Sequence, residues 1–253
     1  MTNPQELHYA NIHDEYTAHY FDPYALEFRR RFIVDILFAN SNLNGKRVAD
    51  LAAGSGFNSL LLREKWPDVE VVGFDISEPA CTAYRANVNS VAHRVDLSVE
   101  QSFDGQFDAA MVIGGLHHCV NNLGGTLRNI SRMVKPGGCF YLYEPNARFV
   151  LQALRDFWYR RDRYFDQSTE RALTHEELIV LAQDYFEPER VLYLGGPAYF
   201  LVLNSLITRV PLQLKRALAA SLFPLEGFWN RHCGERGCPV LAAVWRRTGR
   251  RLD

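Results

Sequence analysis

The stretch KRVADLAAGSGFNSLLLREKWPDVEVVGFD, residues 46–75, constrains the fold more than any other part of the chain. Arg47–Leu51 is short, apolar and bounded by polar residues, the pattern of a buried strand. Gly54 and Gly56 follow in a turn, where a missing Cβ lets backbone approach a ligand closely. A helix is predicted from Asn58 to Glu64, and a second strand over Glu70–Phe74 ends on Asp75. A carboxylate about twenty residues beyond a glycine turn is suited to hold a ribose-bearing cofactor. The turn amides face the polar centre of the ligand, and the carboxylate accepts hydrogen bonds from the ribose hydroxyls. In an open α/β sheet this carboxyl edge is where ligands bind.

Asp50 refines the cofactor. It stands at the end of the first strand, ahead of the glycines, where it would repel the pyrophosphate of a dinucleotide and attract a cation. S-adenosylmethionine carries a sulfonium and an ammonium, so DLAAGSG points to that cofactor rather than to NAD. The alternative for Asp50 is local: capping the next helix or accepting turn amides.

Strands and helices alternate through the rest of the chain, which implies a parallel α/β sheet with helices on both faces. Residues 1–45 read as helical, with Phe28, Phe32, Ile36 and Leu37 at helical spacing. Ser77 caps a helix running to about Val91. Strands are expected at Arg94–Glu100, Phe107–Ile113, Cys139–Tyr143, Arg190–Leu194 and Val240–Arg246. Helices are expected at Leu123–Val134, about 147–161 and 175–185, with Thr174 and Glu177 as a capping box. The domain reading is an N-terminal helical cap (1–45), a core (46–195 and 238–248) and a helical insertion (196–237) rich in Leu, Phe and Trp.

A length of 253 residues suits one such domain with insertions, and a formal net charge of −1 gives no field that would gather nucleic acid. Five scattered cysteines argue against a disulfide framework. With no signal-peptide pattern and no apolar run of membrane-spanning length, the expected location is cytoplasmic, without an integral membrane segment.

Taken together these segments resemble the class I S-adenosylmethionine-dependent methyltransferases. VADLAAGSG matches the first motif of that family, VVGFDIS the second strand with its ribose acid, FDAAMVIGGLHH the fourth-strand motif, and MVKPGGCFYLYEPN the fifth strand. The resemblance implies a Rossmann-like sheet of order 3-2-1-4-5-7-6 with the last strand antiparallel. It implies S-adenosyl-L-methionine as cofactor, Gly54 and Gly56 beneath its methionine and ribose part, and Asp75 on the ribose with Ile76 beside it. It also implies Asp50 at the methionine end and Gly114 offering backbone to the amino group. Ala52 stands where the family usually has glycine. The adenine contact falls on Glu100, with Gln101 and Ser102 as alternatives. Tyr16, with Tyr9 and Tyr20, lies in a segment that such proteins often fold over the cofactor; ordinary packing is the alternative.

Methyl transfer to a hydroxyl needs in-line alignment and removal of a proton. His117 and His118 follow the fourth strand and are the candidate bases, His117 first; packing is the alternative for both. Glu144 is read as orienting a histidine, binding substrate or capping a helix. Arg29–Arg31 either meet the cofactor carboxylate or form a solvated face. His232, Cys233 and Cys238 offer three ligands but no fourth, so no metal is expected. The insertion either lines a pocket, with Tyr199, Phe200, Phe228 and Trp229 excluding water, or forms a dimer face, a membrane-surface contact or plain core. The resulting function is methyl transfer to a small molecule, at a sugar, natural-product or quinone-like hydroxyl. A nicotinamide-dependent oxidoreductase and a non-catalytic S-adenosylmethionine-binding protein are the alternatives, and a homodimer is an open option.

Overall fold

The apolar segments form seven strands: β1 (Arg47–Leu51), β2 (Glu70–Asp75), β3 (Ala92–Arg94), β4 (Phe107–Ile113), β5 (Val134–Pro145), β6 (Phe186–Leu194) and β7 (Val240–Arg247). In the computed structural model, which describes residues 20–99, 105–159 and 170–249, they join in one sheet of order β3-β2-β1-β4-β5-β7-β6. The pairs from β3 to β5 are parallel. β7 runs antiparallel to both β5 and β6.

Alternation along each strand feeds two cores, one per face. Val48, Val71, Met111, Tyr141 and Val244 enter one; Ala49, Val72, Val112, Leu142 and Trp245 enter the other. The first face is covered by α1 (Pro23–Arg29), α2 (Phe57–Lys65), α3 (Glu78–Val88) and α7 (Leu212–His232); the second by α4 (Leu123–Met133) and α6 (His175–Ala182). The remaining helix is α5 (Gln152–Tyr159). Burial on both sides explains why the central strands read as nearly continuous apolar runs.

The helix starts follow capping chemistry. Asp22 accepts the N–H groups of Tyr24 and Ala25 at the head of α1, with Pro23 in the first turn. α1 runs on through a π turn (Arg30–Val34) to a short turn (Asp35–Leu37). Ser77 accepts from Ala80 at the start of α3, and Asn89, in the left-handed region at φ 50°, ends it.

Two expectations are corrected. The third strand is Ala92–Arg94, not Arg94–Glu100. Asp96 accepts the Ser98 N–H and hydroxyl, and Asn129 takes the carbonyls of Leu97 and Val99, so the chain turns away from the sheet. The fifth strand begins at Val134 rather than Cys139. Lys135–Gly138 forms a bulge inside it, with the β4 register jumping from Phe107↔Val134 to Ala109↔Cys139. The helix expected over about 147–161 is described only as Gln152–Tyr159.

Segment 196–237 contains a π turn (Tyr199–Leu203), α7 and a 3₁₀ turn (Glu235–Gly237). α7 lies against α1: Phe223 meets the rings of Phe28 and Phe32 edge-on. The Lys215 ammonium is buried and ion-paired with Asp22, the residue that caps α1. Tyr20 donates to Asn204 at 3.0 Å.

Candidate active site

The carboxyl ends of β1 and β2 meet in a turn held by Asp75. One oxygen of Asp75 accepts the Gly54 N–H at 2.8 Å and the other accepts the Ser77 N–H at 2.9 Å. Gly54 has φ 53°, and a Cβ there would meet nothing within 4 Å. The space above it is therefore open, and glycine is needed for the backbone conformation. Gly114, at the end of β4 with φ 76°, faces open space in the same way. Gly56 differs: a Cβ there would lie 2.3 Å from Val88 and 2.6 Å from Tyr84. That glycine serves the packing of α2 on α3. Two open backbone positions at neighbouring strand ends, with a carboxylate between β1 and β2, fit a nucleoside-bearing cofactor.

Asp50 lies beneath this turn, 1% exposed. It accepts from Ser59 at 2.7 Å, and the Ser59 hydroxyl lies 2.7 Å from that of Tyr84. Burial pushes its carboxyl up from 3.8 to about 7, the Ser59 hydrogen bond working against the rise, Asp75 adding to it and Arg29 reducing it. Of the three neighbouring arginines, Arg30 and Arg31 are exposed and paired with Glu27. Arg29 is buried and donates to Asn58, two residues past Gly56, at 3.1 Å. Its guanidinium lies over Phe21, whose ring stacks on Phe57. The start of α1 therefore packs on the glycine turn.

The ends of β4 and β5 build the second half. Glu144, at the end of β5, is fully buried. One oxygen accepts the N–H groups of Gly115 and Leu116; the other accepts that of His117 and lies 2.7 Å from His117 Nδ1. With the carboxylate as acceptor, Nδ1 is the donor and Nε2 keeps its lone pair. His118 packs its ring 3.8 Å from that of His117 and puts Nδ1 3.2 Å from Glu170. Burial, then the neighbouring His117, lowers the pKa of His118, with Glu170 and Glu144 opposing. Two imidazole–carboxylate pairs thus stand side by side, one of them at the mouth beside Gly114. His117, His118 and Glu170 also bring three potential ligand atoms within 4.8 Å of one another, the metal-ligating cluster found among the described residues.

A methyltransferase-domain family model matches residues 49–140, which span the glycine turn, Asp75 and the His117 loop. The demethylmenaquinone methyltransferase of Thermus thermophilus is 30% identical over 124 residues, 47% of this chain and 54% of that protein. The trans-aconitate 2-methyltransferase of Pseudomonas paraeruginosa is 29% identical over 136 residues, 52% and 46% of the two chains. A Thermotoga maritima structure described as an S-adenosylmethionine-dependent methyltransferase, possibly a histamine N-methyltransferase, superposes with a TM-score of 0.65 at 14% identity. That likeness covers 97% of this chain and 99% of the other and speaks to the fold. Residues 49–140 thus match a methyltransferase domain, within a sheet that has the strand order of the class I S-adenosylmethionine-dependent methyltransferases. The chain spans about half the length of the curated relatives it matches.

Measured against this family, the sequence-predicted residues fall into three groups. Asp50, Ala52, Gly54, Gly56, Asp75, Ile76 and Gly114 gather at the ends of β1, β2 and β4, where a class I methyltransferase holds its cofactor. His117, His118 and Glu144 gather beside them at the ends of β4 and β5. Tyr9, Tyr16, Glu100, Gln101 and Ser102 lie outside the described residues. Glu144 both caps the His117 turn and orients His117, so two of its three readings hold together. His232, Cys233 and Cys238 form no ligand cluster among the described residues. Among the four aromatics assigned to the insertion, Tyr199 is buried and Phe200 stacks on Phe149, ring centroids 6.0 Å apart. Phe228 faces solvent, and Trp229 donates its indole N–H to the Gly237 carbonyl.

Sequence reasoning missed Arg29 as distinct from its neighbours, Glu170, and the packing role of Gly115. The last had a legible signal. Ala52 replaces the family's glycine and adopts φ 53°, and a Cβ on Gly115 would lie 2.5 Å from the Ala52 Cβ. The methyl gained in one motif is accommodated by the glycine kept in the other.

Proposed function

We propose that the protein transfers a methyl group from S-adenosylmethionine to a hydroxyl of a small molecule, a sugar, natural product or quinone-like acceptor. The observation that carries this reading is the His117–Glu144 pair: an imidazole whose Nδ1 lies 2.7 Å from a buried carboxylate, three residues past Gly114, whose backbone faces open space. The cofactor supplies an electrophilic methyl on a sulfonium. Asp75 and the Gly54 backbone hold the nucleoside, and Ile76 flanks it. Asp50 places negative charge under the cationic methionine end, and buried Arg29 supplies positive charge for its carboxylate. His117 Nε2 takes the acceptor's proton, and Glu144 keeps the imidazole in the tautomer that can do so. Tyr199, Phe200 and Phe149 form the aromatic wall that excludes water above the acceptor, so the N-terminal segment and residues 196–237 act as a cap. The two curated relatives carry the names of different acceptors, demethylmenaquinone and trans-aconitate, which supports a small-molecule acceptor and leaves the atom to experiment.

The test is incubation of the protein with labelled S-adenosylmethionine and a metabolite extract, with mass analysis of products. A small molecule heavier by one methylene, formed by the parent and lost in His117→Ala, is the expected result. A methylated product at carbon or nitrogen, formed equally by His117→Ala, would remove the base and the hydroxyl from the reading.

A further inference from the structure

A cavity of about 470 Å³ opens at the edge of the sheet away from the glycine turn, within the size range of small-molecule sites. Lys46, Asp108 and Ala109 place it at the amino ends of β1 and β4, whose carboxyl ends carry the candidate cofactor positions. At 3.2–3.4 Å per residue, the five residues of β1 set the two places roughly 15 Å apart. The floor of the cavity is apolar: Leu37, Leu43, Ala109, Tyr141 and Val244 line it, and all are buried. Phe38 backs the Tyr141 ring, with centroids 4.2 Å apart.

The register shifts found among the described strands both border this cavity. One is the Lys135–Gly138 bulge of β5; the other lies between Pro188 and Arg190 in β6. A regular strand sends successive side chains to opposite faces, and a bulge re-aims them. At the second shift Glu189 and Arg190, neighbours in sequence, both line the cavity.

The charge of the lining is unbalanced. Lys46, Lys135, Arg190 and Arg246 face two carboxylates, Asp108 and Glu189. Lys135 pairs with Asp108 at 3.0 Å, and Arg246 pairs with Glu189. Arg190 donates from Nη2 to the carbonyls of Ile36 and Leu37, which leaves its charge unmatched. Lys46 is exposed and forms no ion pair among the described residues. Three carboxylates stand just outside the lining. Glu70 is held by Arg47, and Glu187 lies across the ladder from Arg246, beside the pair that is already neutral. Asp68 bonds Gly45 through its backbone carbonyl and pairs with neither cation.

We propose that this cavity binds a small organic phosphate monoester, its apolar body against Tyr141 and Val244 and its phosphate met by Lys46 and Arg190. A phosphate monoester carries close to two negative charges at neutral pH, a carboxylate only one. Two unmatched cations beside an apolar floor therefore favour such a dianion over a neutral molecule or a bare ion. The cofactor positions stay clear, so both ligands are held at once. The site is independent of the acceptor reading.

The probe is phenyl phosphate, with phenol and inorganic phosphate as its two halves. Calorimetry on the full chain is expected to show phenyl phosphate binding about tenfold or more tighter than either half. The affinity should fall with salt and stay the same when S-adenosylhomocysteine is already bound. Cys139, half-buried in the lining, reports occupancy. Its labelling by a maleimide, read by peptide mass mapping, should slow when phenyl phosphate is present. Lys46→Glu and Arg190→Gln are each expected to weaken phenyl phosphate about tenfold or more and to abolish the protection of Cys139. Unchanged S-adenosylhomocysteine affinity shows that the variants fold. Parent protein that binds no phenyl phosphate at millimolar concentration overturns the proposal. So does binding that leaves Cys139 unprotected, that S-adenosylhomocysteine displaces, that both variants retain in full, or that phenol or inorganic phosphate equals.

Discussion

The two halves of the candidate site are built on different principles. In the cofactor half, Asp50, the glycine turn, Ser59 and Asp75 come from one short stretch, and the groups that would hold a ligand are mostly backbone. In the half proposed to receive the acceptor, His117 meets a carboxylate from β5, His118 meets one from beyond α5, and the stacked Phe149 and Phe200 come from two loops far apart in sequence. The first is a local motif that any chain of this fold can carry. The second exists only because β4 and β5 pair in parallel and the chain returns over their ends. A local motif is thus separable, in one molecule, from the part proposed to receive the acceptor.

The largest effect that would sharpen this contrast is expected from the acceptor half. His117→Ala should lower kcat about 100-fold or more while leaving cofactor affinity in place, and Glu144→Gln should mimic it through the wrong tautomer. Stopped assays with calorimetry in parallel would read both; loss of cofactor binding in His117→Ala would mean that the halves are one unit. In the cofactor half, Asp75→Ala should weaken S-adenosylhomocysteine binding by about 1.5–3 kcal/mol, because a charge-assisted hydrogen bond is lost. Titration calorimetry decides it, and unchanged affinity would confine Asp75 to holding the turn.

Smaller effects test the turn itself. Ala52→Gly should raise stability by about 0.5–1 kcal/mol, since the left-handed backbone costs alanine more than glycine loses in the unfolded chain. Denaturant titration measures this. Asp50 gives a pH signature. Its carboxyl rises from 3.8 to about 7 on folding, so the folded state holds a proton that the unfolded chain releases. Stability from this group is therefore full below 3.8 and falls as pH rises to about 7. A bound cation should lower that value, so cofactor binding near pH 7 should release about half a proton. Calorimetry in buffers of different ionisation enthalpy should show the release, and Asp50→Asn should abolish it. Least of all should change on adding chelator: both Nδ1 atoms of the histidine pair already face carboxylates, so activity should survive EDTA. Loss of activity, restored by a divalent ion, would make His117, His118 and Glu170 a metal centre.

Much of the sheet was legible because a central parallel strand is an uninterrupted apolar run; β1 and β4 were read to their last residues. The third strand was not, because Val95–Val99 alternates like a strand while Asp96 and Asn129 satisfy its backbone from side chains. The cofactor positions were legible because their spacing is local. Glu170 was not: nothing in Glu170-Arg171 marks it, and backbone contacts of Arg171 with His117 and of Leu173 with Pro145 and Ala147 carry it to the pair. The arginines were hard for a different reason. Three in a row on a helix share one composition, and only the rotation of the helix decides that Arg29 faces inward.

The ion pair between Lys215 and Asp22 joins residues 193 positions apart, and Asp22 also starts α1. The first helix therefore gains its buried partner only after most of the chain has been made. Closing so long a loop is entropically slow and places these contacts late in folding. The cofactor half reaches as far as β5, where the Tyr143 carbonyl accepts the Gly114 N–H, and α7 comes later in the chain. A nascent chain arrested before Lys215 would hold the glycine turn and Asp75 without the ion pair that anchors α1. The order of synthesis thus runs from donor to acceptor.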